Sequence, residues 1–364
     1  MATPLPARNI FDGTAAPVTS AFKAAMGSLR DYLAEQLGTT GGAPTAITSI
    51  NGGQLAGNRN KIINPFEINQ RGATSVADDA YCLDRWYVLT ESGNVTVAQI
   101  TDPESGAPWA IRLTQPDASA KRMGLAMIIE SKDIRAYRSV AMNFAARVKP
   151  SFAGNVRYAI LEHTGTADVV TSDVVGTWAS ATFTAGNFFI AGLNILKTGV
   201  VAPGAAAYGD ISDWSALGAS CNNIILFVWT ESTQAQNATL ELNRPQYEPG
   251  VVRTPQEWRL KELAICQRYY EKIDYASYWL SGIGASLVAF YGPMIAYAVT
   301  KRVTPLSITL PAAANQGYNS GGGNVTPTTW ATNAVTASGF CLSVALAGGV
   351  TGYVSNSAAI NAEL

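Results

Sequence analysis

The sequence predicts a mainly β protein, in which an N-terminal helix precedes two β-sandwiches joined by a short helix. Three observations predict this class. From about residue 58 onward, short apolar and polar runs alternate between Gly, Pro, Asn and Asp residues, a pattern typical of antiparallel sandwiches. A single helical stripe lies ahead of these runs. Charged residues form only 14% of the chain, against about 25% in ordinary soluble domains, which favours neutral faces that pack on copies of the chain or contact neutral sugars.

Residues 18–37 carry the clearest helical pattern. Phe22, Met26, Leu29 and Leu33 are spaced by four, three and four residues, so they line one face of a helix. A lone helix of this length is marginal in water, and its stripe must be buried. It either packs on its own chain or forms a parallel bundle with sister chains. The Gly-rich linker that follows separates the helix from the β region and favours the bundle.

The β region contains clear strand-like runs: 94–100, 109–113, 141–148, 156–161, 179–184 and 224–229. No repeat of 20–50 residues is present, which argues against a solenoid or parallel β-helix. Residues 276–300 carry no charge, but Gly282, Gly284, Gly292 and Pro293 interrupt them. This segment therefore favours two or three strands over a membrane span.

The residues that commonly carry chemistry are sparse. The four cysteines, Cys82, Cys221, Cys266 and Cys341, are widely spaced, which predicts free thiols instead of a zinc site. The one histidine, His163, has no nucleophile elbow or metal partner in the sequence, and no two carboxylates stand out as a glycosidase pair. We expect no enzyme activity, no cofactor and no metal. A net charge of −1 without a basic cluster also argues against a nucleic-acid partner.

The last region is nearly uncharged. After Arg302 only Glu363 carries a charged side chain, and residues 315–324 form a Gly-, Asn- and Ser-rich loop that we expect to be exposed. Aromatic rings stack on sugars and amides bond their hydroxyls. The candidate glycan contacts are Tyr318, Asn319, Asn324 and Trp330. The alternative is that Trp330 belongs to the core and the loop is a solvated turn.

Several segments carry a resemblance to a known family: residues 63–72 (INPFEINQRG), 81–86 (YCLDRW), 240–250 (LELNRPQYEPG), 262–270 (ELAICQRYY), 301–305 (KRVTP) and 361–364 (NAEL). Together they resemble bacteriophage tail-fibre and tail structural proteins over roughly residues 58–364. Where the family usually reads Gln-Leu-Glu, this chain has Pro245-Gln-Tyr-Glu248. Within these segments we expect Trp86 and Tyr81 to be core anchors. We also expect Asp84 and Arg85 to form a local ion pair or strand-end bond, and Tyr269 and Tyr270 to pack the linking helix on the sandwich.

The resemblance implies a jelly roll similar to carbohydrate-binding modules, followed by a C-terminal sandwich. The expected organisation is a particle-anchoring peptide and oligomerisation helix (1–40), a linker (41–57), a jelly-roll domain (58–254), a linking helix (255–270) and a distal sandwich (271–364). It further implies a homotrimer in the virion, made in the host cytoplasm.

The implied partners are a tail adaptor, nozzle or other virion protein at the N-terminus, and a host surface polysaccharide or outer-membrane receptor. We expect no membrane insertion. The alternatives are a capsid or head fibre with a purely structural role and a glycan depolymerase.

Overall fold

The structure is a computed structural model. It describes Met26 and residues 49–50, 53–54, 59–102, 110–256, 261–280, 288–310, 317–318, 324–325, 329–346 and 352–363. Within these ranges the side chains of residues 49–50, 53–54, 274–280, 288–293, 317–318, 324–325, 329–330, 344–346 and 352–357 are not described. The chain divides into two compact units, residues 1–59 and 60–364.

In the first unit the structure describes one residue of the predicted helix and one short hairpin. Met26 is helical and 46% exposed. Strands Ser49–Ile50 (β1) and Gly53–Gln54 (β2) pair with each other. The other predicted stripe residues, Phe22, Leu29 and Leu33, lie outside the described residues.

The second unit begins with a large jelly-roll β-sandwich. Its strands are Ser75–Val76 (β3), Ala80–Tyr81 (β4), Trp86–Thr90 (β5), Val95–Ile100 (β6), Ala110–Thr114 (β7), Met123–Ile129 (β8), Ala141–Pro150 (β9), Val156–His163 (β10), Asn194–Val201 (β11), Gly209–Ala216 (β12), Asn223–Thr230 (β13) and Thr239–Pro249 (β14). A short helix, Ser131–Ile134 (α1), and a 3₁₀ turn, Arg135–Tyr137, connect β8 to β9. Five of the predicted runs match strands, but residues 179–184 form none.

The strands form two antiparallel six-stranded sheets. Sheet I has the order β11-β10-β13-β8-β5-β4, and sheet II has the order β12-β9-β14-β7-β6-β3. Their facing sides enclose one core, to which Trp86, Met127 and Leu226 contribute from sheet I and Phe144 and Tyr247 from sheet II. This confirms the sandwich that the alternating runs predict.

A β-bulge in β14 accounts for Pro245. Strand β14 lies between β9 and β7, where proline is normally excluded because it donates no ladder hydrogen bond. The register of β14 against β9 shifts between Asn243 and Gln246, and Arg244 has a φ of 50°. Proline is tolerated at such an irregularity. The departure from the family pattern at residues 245–248 therefore lies beside this bulge.

In the described residues, a short helix and eight further strands follow the sandwich. The helix is Glu262–Gln267 (α2), shorter than predicted, because Tyr270 already begins the next strand. The remaining strands are Tyr270–Leu280 (β15), Val288–Ala296 (β16), Ser307–Thr309 (β17), Gly317–Tyr318 (β18), Asn324–Val325 (β19), Thr329–Asn333 (β20), Gly339–Leu346 (β21) and Gly352–Asn361 (β22). The uncharged segment 276–300 thus contributes to β15 and β16. In the described part of the chain, no helix is long and apolar enough to cross a membrane.

These C-terminal strands form two sheets that pack on each other. Sheet III has the order β15-β22-β18-β19, with β17 also paired to β22, and sheet IV has the order β16-β21-β20. Ile295 and Phe340 from sheet IV meet Ala358 and Ile360 from sheet III in a small buried core. The predicted second sandwich is therefore present.

Five of the six family-like segments, all but 240–250, meet where the jelly roll contacts the C-terminal sheets. Trp86 is buried, and its indole N–H donates to the carbonyl of Asn64 at 2.7 Å, as expected of a core anchor. Of the two arrangements expected for Asp84 and Arg85, the local ion pair is wrong, and Asp84 instead makes a bond just before the start of β5. The Asp84 carboxylate accepts the backbone N–H of Gln70 at 2.7 Å, while Arg85 reaches across the chain to Glu363.

Candidate functional site

The structure places the predicted glycan-contact residues on two different sheets. Tyr318 and Asn324 are paired residues of the β18–β19 hairpin in sheet III. Trp330 lies in β20 of sheet IV, opposite Val344. Asn319 lies outside the described residues. These four residues are not brought into one described site, and their contact with glycan stays a prediction.

The outward face of sheet I is apolar and covered. Strands β8 and β13 are buried along their whole length, so both faces of these central strands lie inside the protein. The segment between β10 and β11, residues 164–193, packs over the outward face and is called the strap here. The residues buried between strap and sheet include Phe227 and Trp229 from the sheet and Val174, Phe188 and Phe189 from the strap.

Stacked aromatic rings fasten the strap to the sheet. Trp229 stacks on Phe227 with ring centroids 4.6 Å apart and on Phe188 of the strap at 5.0 Å. Gly124 makes room for this stack, because a Cβ there would lie 2.6 Å from Phe227 and 2.7 Å from Trp229. A ligand could reach this face only after the buried apolar contacts were broken. We therefore assign the strap a structural role.

The outward face of sheet II is polar and is exposed along the edge strand β12, although Asn143, Gln246 and Glu248 on its inner strands are buried. In β12 the residues alternate strictly, so that Ile211 and Ser215 are buried while Asp210, Ser212 and Trp214 are exposed on the other side. Trp214 is 47% exposed and lies opposite Asn143 of β9 in the register. Trp214 therefore presents a large aromatic side chain on the polar side of its strand, where it can contact a ligand.

Polar and charged groups accompany Trp214 along this face. The Asp210 carboxylate accepts contacts from Arg147 Nε at 3.0 Å and from Arg253 Nη1 at 3.5 Å. The guanidinium of Arg147 lies over the ring of Tyr208, 4.6 Å from its centroid. Burial raises the pKa of Tyr208 above its usual value, and the negative charges of Asp102 and Glu241 raise it further. The phenol therefore stays a neutral donor.

This arrangement has the parts of a sugar-contact surface. A half-exposed indole offers an apolar ring for stacking, and hydroxyl, carboxylate and guanidinium groups offer donors and acceptors beside it. We call Trp214, Ser212, Asp210, Tyr208, Arg147 and Arg253 the platform. The sequence contained a signal for it, since the alternation of Asp210-Ile-Ser-Asp-Trp214 puts the tryptophan on the polar side of a strand.

The carboxylate of Asp168 holds local structure. Asp168 accepts from the Ser131 N–H and hydroxyl and from Asn223. Burial raises the pKa of Asp168, but these hydrogen bonds outweigh it and the net shift is downward. His163 is the last residue of β10, as expected of a strand-end histidine. Among the described residues, no group of three His, Cys, Asp or Glu could hold a metal ion.

The cysteines are free, as predicted. Cys82, Cys221 and Cys266 are buried, and Cys341 is partly exposed. Burial raises the pKa of the Cys82 thiol to about 12, and burial followed by Glu162 raises that of Cys221 to about 12. These two thiols therefore remain protonated at neutral pH and are poor nucleophiles.

No protein-family model and no curated protein matches the chain. Among solved structures, the carbohydrate-binding module TmCBM61, in complex with β-1,4-galactotriose, is 9% identical with a TM-score of 0.32, covering 53% of this chain and 99% of the module. The C-terminal family 22 carbohydrate-binding module of Clostridium thermocellum Xyn10B is 10% identical with a TM-score of 0.31, covering 54% of this chain and 99% of the module.

A phage protein is also similar in structure. The enzymatically active domain of bacteriophage CBA120 tailspike protein 4 is 10% identical with a TM-score of 0.34. The likeness covers 58% of this chain and 24% of that chain. Similarity at this level carries neither family membership nor function over to the present chain.

Proposed function

We propose that this chain is a homotrimeric fibre protein of a bacteriophage virion that binds glycan on the host surface. The observation that carries the proposal is Trp214, 47% exposed on the polar face of sheet II with hydrogen-bonding groups beside it. The resemblance of residues 58–364 to phage tail-fibre proteins supports the virion assignment. The helical stripe of Phe22, Met26, Leu29 and Leu33 is proposed to form the trimer.

In this proposal residues 1–40 attach the fibre to a tail adaptor, a nozzle or another virion protein. The jelly roll and the C-terminal sheets then face the host, and three copies convert weak sugar contacts into avidity. Tyr318, Asn319, Asn324 and Trp330 are proposed as a second contact area on the C-terminal sheets. A capsid fibre with a structural role is the alternative.

The test is binding of fluorescent full-length protein to host cells, with phage-adsorption competition and oligomeric mass measured on the same sample. Trp214→Ala is expected to lower cell binding about five-fold or more, since loss of one aromatic stacking contact costs roughly 1–3 kcal/mol. Leu306→Ala is the matched control, because Leu306 is 71% exposed elsewhere on the surface.

The outcomes separate the alternatives. A trimer that labels cells and blocks adsorption, with loss of both in Trp214→Ala, supports the proposal. A trimer that does neither points to a structural fibre. Loss of polysaccharide mass on incubation points to a depolymerase. Loss in Tyr318→Ala or Trp330→Ala, with Trp214→Ala unaffected, moves the contact surface to the C-terminal sheets.

A further inference from the structure

We infer that the glycan bound at the platform carries carboxylate groups, and that a strip of basic side chains on the same sheet face as Trp214 selects for them. This inference rests on the proposed glycan binding. The strip consists of Arg147 and Lys149 on β9, Arg112 on β7 and Arg253 after β14. It lies on the outward face of sheet II, the face that Trp214 shares.

The register of the sheet places these groups side by side. Glu241 of β14 lies opposite Lys149 of β9 on one side and Arg112 of β7 on the other. Neighbouring strands are about 4.8 Å apart, so the Lys149 and Arg112 backbones are about 10 Å apart. Asn143, opposite Trp214, is four residues from Arg147 on the same strand, which corresponds to about 13 Å. A ligand that contacts both the indole and the strip must therefore contain more than one sugar ring.

Exposure differs between the cations and the anions of this face. The side chains of Arg112, Lys149 and Arg253 are 42%, 27% and 26% exposed. Glu241, which pairs with Arg112 at 2.6 Å, is only 9% exposed. A ligand approaching Arg112 and Lys149 meets cationic groups whose shared counter-ion, Glu241, lies deeper in the protein, whereas the counter-ion of Arg253 is the exposed Asp210.

Other acidic groups of the face are buried or already engaged. The Asp102 side chain is 0% exposed and contacts Arg244 at 3.5 Å. Glu248 is also 0% exposed and accepts from Thr254. Asp210 is the exception at 58% exposed, and it is shared between Arg147 and Arg253. The four cations of the strip, Arg112, Arg147, Lys149 and Arg253, thus share two carboxylates, Glu241 and Asp210, in a chain whose net charge is −1.

The chemistry of the strip fits carboxylates of sugars. Arg112 engages Glu241 through both Nε, at 2.9 Å, and Nη2, at 2.6 Å, so its guanidinium is already held against the sheet. Arginine recognises carboxylate through paired N–H groups, and charge-assisted bonds are about twice as strong as neutral ones. An acidic oligosaccharide can stack one ring on Trp214 and present the carboxylate of another ring to this strip.

The experiment measures binding of the full-length protein to oligogalacturonate, hyaluronate and polysialate, each beside its carboxyl-reduced form, at low and high salt. We expect at least one acidic probe to bind, its reduced form to bind about ten-fold more weakly, and high salt to weaken binding. Lys149→Gln and Arg112→Gln should each weaken the acidic probe by about ten-fold without changing the reduced form.

Matched controls remove the same charges elsewhere. Lys121→Gln and Arg135→Gln should leave binding unchanged, since Lys121 contacts Ser92 and Arg135 contacts Asn222 away from the strip. Equal binding of acidic and reduced forms, lost in Trp214→Ala, would overturn the inference while leaving glycan binding intact. If neither these probes nor host-surface polysaccharide binds, the proposed function itself fails.

Discussion

Arg85 and Glu363 form an ion pair that is buried on both sides, with side chains 1% and 2% exposed, although 278 residues separate them in the chain. Arg85 follows β4 in the jelly roll, and Glu363 follows β22 in the C-terminal sheets. The guanidinium of Arg85 also donates to the carbonyl of Ile128 at 2.7 Å and lies 3.9 Å from the ring centroid of Tyr269. Burial opposes the charge of Arg85, but Glu363 outweighs it and the net pKa lies above its usual value.

A second pair crosses the same junction with the charges reversed. Glu130 of the jelly roll contacts Arg302 Nε at 2.5 Å and accepts the hydroxyl of Tyr269 at 2.8 Å. Arg71 adds a contact to Glu363 at 3.0 Å. Each side of the junction thus contributes a cation and an anion, and this complementarity fixes one alignment of the C-terminal sheets on the jelly roll.

Glu363→Gln is therefore expected to destabilise the protein by about 3–5 kcal/mol, because it leaves the buried Arg85 charge unpaired. Urea unfolding followed by tryptophan fluorescence measures the change. The double variant Arg85→Met/Glu363→Leu should lose less than the single variant, since no charge is then left buried.

Glu91→Gln is the control for this prediction. Glu91 pairs with Arg122 at 2.8 Å, but the two side chains are 25% and 18% exposed, so its loss should change stability by less than about 1 kcal/mol. Equal effects of Glu363→Gln and Glu91→Gln would show that the junction pair is not stabilising.

Asp84 should give the protein a distinct pH dependence. Burial raises the pKa of its carboxyl to about 6, against the bonds from Gln70 and the charge of Arg71, which lower it. The folded state therefore binds the proton more tightly than the unfolded chain does. The stability from this group is complete below about pH 4 and is lost as the pH rises through 6, by up to about 3 kcal/mol.

Asp84→Asn is the variant that isolates this effect, since asparagine can still accept the Gln70 N–H. We expect the stability difference between the native protein and Asp84→Asn to move in favour of the native protein as the pH falls from 7 to 4. Urea midpoints at several pH values measure it. A difference that stays constant over this range would contradict the raised pKa.

We expect the strap to stabilise the folded protein through its buried residues and not to open as a mobile segment. Phe188→Ala removes a ring that contacts Trp229 and Trp178 in a fully buried position, and such truncations cost about 3–5 kcal/mol. Val169→Ala lies in the same segment but is 67% exposed, and it should change stability by less than about 0.5 kcal/mol. Thermal unfolding of both variants tests this. A negligible loss in Phe188→Ala would mean that the strap is only loosely attached.

The sequence by itself determined the β class of this protein and most of its strands. Alternation in β12 and fully apolar runs such as Asn223–Thr230 are local signals, because side chains on a strand point to opposite faces. The same apolar run indicates cover on both faces of sheet I, although the sequence does not say what covers it. The uncharged segment 276–300 is a similar case. Its hydropathy alone suggests a membrane span, but the interruptions at Gly282, Gly292 and Pro293 indicate strands.

Only the tertiary structure decided which distant residues meet. Residues 179–184 alternate like a strand, yet they lie in the strap, because the apolar face of sheet I offered Phe183 and Phe188 a place to be buried. Arg85 stands next to Asp84 in sequence but pairs with Glu363, since chain connectivity brings that carboxylate to a buried guanidinium. Strand periodicity fixes the face on which a residue lies, whereas the partner across a sheet or junction depends on how the whole chain folds.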